Sequence, residues 1–199
     1  MAVTGFVAEA ELADYLGDDE VVDFRNPVVG AVVRELWARH GEGYARAAFE
    51  WVRDAVTHSM DAGDRRVTWR ASDVVSQGTG LCYAKSHLLV GLLRAKGIPA
   101  GLCYQRLADG GGGFVLHGLV GVWVAEEGRW ARVDPRGDKP GVLTEYSLGE
   151  ERIAFAVDAA VGEVDYPTVY ASGHPAVVDV LKRSSDCVVL CAGGLPGEL

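Results

Sequence analysis

Apolar residues recur at helical spacing through the first half of this chain, and run or alternate as strands do through its middle. Between Gly43 and Ser59, Tyr44, Ala47, Ala48, Trp51, Val52, Ala55 and Val56 fall at i, i+3, i+4, i+7, i+8, i+11 and i+12, a single stripe that predicts an amphipathic helix. Asn26-Pro27 reads as an N-cap with proline at the first helical position, and Val28, Val32, Leu36 and Trp37 keep the helical spacing up to Gly41. After a polar stretch from Asp61 to Arg70, Ser72 or Asp73 is expected to cap a short helix running into Gln77-Gly78-Thr79-Gly80. From Leu81 to Lys96, Ala84, Leu88, Leu89, Val90, Leu92 and Leu93 cover most of a helix circumference before Gly97-Ile98-Pro99 stops it. A helix that is apolar on most sides belongs in the middle of a fold.

Leu102 to Leu107, Phe114 to Val124 and Trp130 to Asp134 are β-branched, aromatic or alternating runs. They are separated by Asp109-Gly110-Gly111-Gly112-Gly113 and Glu126-Glu127-Gly128, both turn signals, so they predict three antiparallel strands. Ile153 to Val157 is expected to add a strand and Pro175 to Arg183 a short helix. With no internal repeat and no linker, the chain is expected to form a single compact domain over residues 1–199. It divides into a helical part (1–76), a core (77–137) and a C-terminal strand and helix extension (138–199).

With 199 residues, 49% of them hydrophobic, the chain can bury a core without disulfides or a structural metal. Cys82, Cys103, Cys187 and Cys191 form no paired CxxC spacing and no HExxH accompanies them, so neither zinc nor any other cofactor is expected. The net charge of −9 comes from 28 acidic and 19 scattered basic residues, which disfavours nucleic acid and anionic membranes as partners. The segment MAVTGFVAEAELADYL lacks a basic and an apolar leader region, and no stretch of ~18 uncharged apolar residues occurs. A reducing cytoplasm is the expected compartment. Oligomeric state is not legible in the sequence.

Chemistry enters at Cys82. It follows Gly78-Thr79-Gly80-Leu81 and opens the buried helix, which sets its sulfur near the unbonded N–H groups and positive dipole end of that helix. A helix N-terminus favours a thiolate, a thiolate beside a histidine is an activated nucleophile, and the backbone N–H at the same position can hold an oxyanion. His117 sits inside the apolar run Phe114 to Val124, where burial without a partner would cost about 1–3 kcal/mol. With Glu127-Gly128 as a two-residue turn, residue 134 lies opposite residue 121, which shares strand parity with residue 117. His117 and Asp134 then face the same side of the sheet, and twist, a bulge or a bend near Pro135 must close the remaining gap.

These residues carry a resemblance. GTGLCYAKSHLLVGLLRAKGIPAGLCYQRL is similar to the core motif of the transglutaminase-like superfamily, in which a glycine-preceded cysteine opens a helix that ends in a Gly-Ile-Pro-Ala turn. FVLHGLVGVWV resembles that superfamily's histidine strand, and GRWARVDPRG its Trp-x-x-x-Asp-Pro strand. The resemblance covers about Gln77 to Gly137. It implies a papain-like α+β fold, in which a central buried helix carrying the nucleophile packs on an antiparallel sheet. It also implies thioester acyl-enzyme chemistry with Cys82 as nucleophile, His117 as general base and acid, and Asp134 as the residue that orients the imidazole. Family members often have His-Ala-Trp where this chain has His117-Gly118-Leu119, which implies different substrate walls. No acidic calcium loop is evident, so the resemblance is to small bacterial relatives and calcium is not expected.

The remaining candidates read more plainly. Gln77 could place a side-chain amide in an oxyanion hole beside the Cys82 N–H, or face solvent. His87 lies about 140° around its helix from Cys82, as a core or supporting residue. Cys103, Cys187 and Cys191 read as packing residues. His40, His58 and His174 read as surface or capping residues, and Arg136 and Asp138 as loop charges facing water. The expected activity is hydrolysis of a peptide, protein or small amide or acyl substrate. The alternatives are acyl transfer to an amine by the same triad, and a non-catalytic protein-binding domain.

Overall fold

The computed structural model describes residues 5–199. β1 (Val7–Ala8) leads through a 3-10 turn at Leu12–Leu16 to helix α1 (Pro27–His40). The Asn26 side chain accepts the Val28 N–H at 3.2 Å, so Asn26 caps a helix whose first residue is proline. α2 (Tyr44–Ala55) buries Tyr44, Ala47, Ala48 and Val52, four of the predicted stripe, together with Phe49, while Ala55 at its end is exposed. β2 (Thr57–His58), α3 (Ser59–Ala62), α4 (Ala71–Gln77) and β3 (Thr79–Gly80) follow as short elements. Arg70, and not Ser72 or Asp73, occupies the N-cap position of α4. Asp73 sits one turn inside and accepts the Arg70 N–H, while the Ser72 N–H is taken by Asp23. Gly78 closes α4 at φ 67°, in the left-handed region that glycine enters without penalty.

That reversal sends β3 alongside β2 as a parallel pair, Thr57 with Thr79 and His58 with Gly80. Two residues later α5 (Cys82–Arg94) begins, with every residue buried. Its two cationic side chains are spent on carbonyls. Lys85 Nζ donates to Arg53 and Val56 at the C-terminal end of α2, and Arg94 donates to Gly17, Ala100 and Ala171.

The sheet is built from β4 (Ala100–Ala108), β5 (Phe114–Val124), β6 (Arg129–Val133) and β7 (Val164–Asp165), in the order β6-β5-β4-β7 and antiparallel throughout. One face packs on α5, with Leu102, Tyr104, Leu116, Val120 and Val122 in one core with Leu88, Leu89 and Leu92. A smaller core of Tyr15, Cys103, Leu119, Trp130 and Val169 covers the other face, where β8 (Thr168–Val169) pairs in parallel with β1. α6 (Pro175–Arg183) matches its predicted span, and the one-turn helix α7 (Cys187–Cys191) follows it. The fold is the expected α+β arrangement, with a central buried helix against an antiparallel sheet.

Two further expectations are corrected. The turn between β5 and β6 has four residues, Ala125 to Gly128, because Val124 pairs with Arg129. Val133 therefore pairs with Val120, which carries Asp134 to the level of Leu119, two residues nearer His117 than a two-residue turn would. Residues 153–157 form no strand; the stretch is held by the site itself, as described next.

Candidate active site

Cys82 is the first residue of α5, with Leu81 as N-cap, so its own N–H has no intrahelical acceptor and its sulfur sits at the positive end of the helix. The Gly118 N–H points at the sulfur from β5, 3.5 Å away. That approach needs glycine, because a β-carbon at residue 118 would lie 3.1 Å from Tyr83 Cα and 2.9 Å from its ring.

His117, the residue before Gly118, is 4% exposed, and its Nε2 is 2.8 Å from Oδ2 of the fully buried Asp134. The same carboxylate accepts the backbone N–H groups of Arg136 on Oδ1 and Ala154 on Oδ2, each at 3.0 Å. Phe155 sets its ring edge-on to the imidazole, with centroids 5.1 Å apart. The stretch expected as a strand thus bonds to Asp134 and covers His117, and it has no strand to pair with. Burial alone would drive the His117 proton off. Asp134 and Cys82 outweigh it, through charge and through hydrogen bonds, and raise the imidazole to about 10. Burial also works against the Asp134 carboxylate, but His117 and the two backbone donors keep its pKa below the usual value. The structure therefore brings Cys82, His117 and Asp134 together, with Nε2 engaged by the carboxylate and the thiol as the other polar neighbour of the ring.

A cavity of about 700 Å³ opens on Cys82 and His117. Its polar lining includes His58, Arg136 and Lys139; its apolar lining includes Leu81, Phe155 and Leu195. Gln77 is not among the lining residues. It ends α4, half-buried, with its main-chain carbonyl taken by Arg66, and the β2–β3 pair brings His58 to the cavity in its place. Of the two readings of Gln77, an oxyanion donor or a residue that faces solvent, its place outside the cavity lining does not support the first.

Three other readings change. His58 is 9% exposed and lies in the cavity wall, not on the surface. Arg136 is 4% exposed, its guanidinium bonded to Asp61 and to the Gly137 carbonyl, whereas Asp138 is exposed and accepts the Thr144 N–H. Cys191 lines the cavity, 3.9 Å from Cys187, and burial pushes its thiol up to about 12. His87 is the buried core residue expected, its Nδ1 2.8 Å from the Trp69 carbonyl, and His174 caps α6. The only sequence signal for His58 or Arg136 was a polar residue type, since what buries them is contact between distant segments.

The sequence profile of the transglutaminase-like superfamily matches residues 30–135, a span that includes Cys82, His117 and Asp134. No curated protein matches the chain. Among solved structures, a proposed cysteine protease from Cytophaga hutchinsonii superposes with a TM-score of 0.50 at 17% identity, covering 78% of this chain and 52% of that one. A TGase superposes at 0.47 and 15% identity, covering 72% and 42%. The periplasmic domain of TgpA from Pseudomonas aeruginosa bound to ethylmercury superposes at 0.41 and 24% identity, covering 55% and 44%. The chain spans about half the length of the first of these, and the likeness is one of fold. Cysteine at the head of the buried helix, the histidine and aspartate strands beside it and the profile that spans all three agree on one assignment: the chain belongs to the transglutaminase-like superfamily.

Proposed function

We propose that this protein is a cysteine hydrolase that cleaves an amide or acyl substrate through a thioester on Cys82. Cys82 attacks the carbonyl carbon. The protonated His117 passes its proton to the departing amine, and as neutral imidazole it then takes a proton from the water that resolves the thioester. Asp134 holds the imidazole orientation and stabilises its charged form. The observation that carries this reading is the buried 2.8 Å His117–Asp134 pair beside a cysteine at a helix N-terminus, with a cavity open to both. Hydrolysis is favoured over transfer to an amine because the polar wall of His58, Arg136 and Lys139 lets water approach the thioester.

p-Nitrophenyl acetate tests this directly. The wild-type protein should release one equivalent of nitrophenolate in a burst and carry an acetyl group on Cys82 by intact mass, and Cys82→Ala should do neither. Equal release by Cys82→Ala would end the proposal. Added methylamine should leave the steady rate nearly unchanged for a hydrolase and accelerate it for an acyltransferase.

A further inference from the structure

We propose that His58 is a further catalytic residue, donating a ring N–H to the oxyanion that forms when Cys82 attacks a carbonyl. The inference rests on the thioester reading above and fills the position that Gln77 does not reach. β2 fixes the location, since His58 pairs with Gly80, two residues ahead of Cys82, and lines the same cavity as Cys82 and His117.

The ring is nine-tenths buried, and burying a polar ring without a partner is unfavourable. Its Nδ1 is sealed from solvent and makes no hydrogen bond among the described residues. The nearest carboxylate oxygen, Asp61 Oδ2, is 3.5 Å away, and Asp61 is itself engaged by Arg136 at 2.9 Å. Nε2 is not sealed in this way while the residue lines the cavity, so the donor role assigns the proton of the neutral ring to Nε2 and leaves Nδ1 bare.

The surroundings select donor over base. Burial, Arg136, Lys85 and His117 together outweigh Asp61 and push His58 down to about 3, so the ring is neutral across the physiological range. An imidazole of such low basicity is a poor proton acceptor, but its N–H is a suitable donor to a carbonyl oxygen gaining charge. The same nearby positive charges favour an anion at that spot. When the S–C bond forms, the carbonyl π pair moves onto oxygen, between the free Cys82 N–H at the head of α5 and the His58 N–H. When the carbonyl re-forms, the bond to the leaving group breaks and His117 supplies the proton.

The test compares two reactions of Cys82 in the intact chain. Alkylation by iodoacetamide builds no oxyanion; acylation by p-nitrophenyl acetate does. His58→Phe, which keeps an aromatic ring and removes the donor, should alkylate at the wild-type rate while its acylation falls about 100- to 1,000-fold. His58→Gln, which keeps an N–H donor, should recover much of that loss. Alkylation also reports that the Cys82–His117 pair is intact, so a variant slowed equally in both reactions would show a packing role and overturn the proposal. Wild-type acylation in His58→Phe would overturn it as well. Absence of Cys82-dependent acylation in the wild type would instead end the thioester reading, and this inference with it.

Discussion

Asp134 receives three N–H groups on two oxygens, from the His117 ring and from the backbones of Arg136 and Ala154. Asparagine offers only one acceptor oxygen, so Asp134→Asn does more than remove a charge. One buried backbone donor would then face an NH2 group, and the variant should lose about 1–3 kcal/mol of stability in urea denaturation. Its turnover should fall roughly 10–1,000-fold, less than in a serine triad because a cysteine paired with imidazolium depends less on its third member. Full turnover with full stability would make Asp134 a strand-end residue. A second consequence concerns pH. His117 rises from 6.5 to about 10 on folding, so between these values the folded protein binds the proton and the unfolded chain does not. The stability that this proton confers is complete below pH 6.5 and is lost as pH climbs through 10. The gap in urea midpoint between wild type and His117→Asn should therefore narrow over that window. A gap independent of pH would mean that the ring is not the site of the proton.

At the scale of elements, the site is a junction between the head of α5 and the middle of β5. Gly118 is the point of contact, its N–H on the Cys82 sulfur and Tyr83 occupying the space that a β-carbon would need. The alanine common at this position in the superfamily does not fit here, since Tyr83 is itself fixed by a hydrogen bond from its hydroxyl to the Leu116 carbonyl. Gly118→Ala should cost about 1–3 kcal/mol by urea denaturation, an overpacking effect, and should slow Cys82 alkylation at pH 6 by parting strand and helix. An alkylation rate equal to wild type would show that the contact is not tuned to the sulfur. The four-residue turn at Ala125 to Gly128 acts at the same scale, because an even shift in register keeps Asp134 on the face of His117 while bringing it within bonding distance.

At the scale of the molecule, the chain beyond the profile match closes the site. Ala154 and Phe155 hold Asp134 and His117, and the segment after α7 puts Gly193 and Leu195 on the cavity wall while the Pro196 carbonyl accepts the Leu116 N–H at 2.8 Å. Removing residues 195–199 should leave iodoacetamide alkylation of Cys82 almost unchanged and speed alkylation by a fluorescein-linked iodoacetamide severalfold. An unchanged ratio of the two rates would mean that this wall does not govern access.

Local pattern determined most of the framework. The stripe of α2, the Asn26-Pro27 start of α1, the largely apolar α5 and the three strands separated by glycine turns were legible because period, caps and breakers act within a few residues. So were the candidacies of Cys82, His117 and Asp134, since a cysteine heading a buried helix and a histidine in an apolar strand are conspicuous in any context. Tertiary structure decided what depends on contacts between distant segments. Gln77 and His58 stood as a candidate donor and a surface residue; the parallel pairing of His58 with Gly80 reversed their positions relative to the cavity. Arg136 looked like a loop charge, and Asp61, 75 positions away in sequence, made it a buried one. The stretch 153–157 has the composition of a strand, but what holds it is a carboxylate and an imidazole, and no periodicity encodes the position of either.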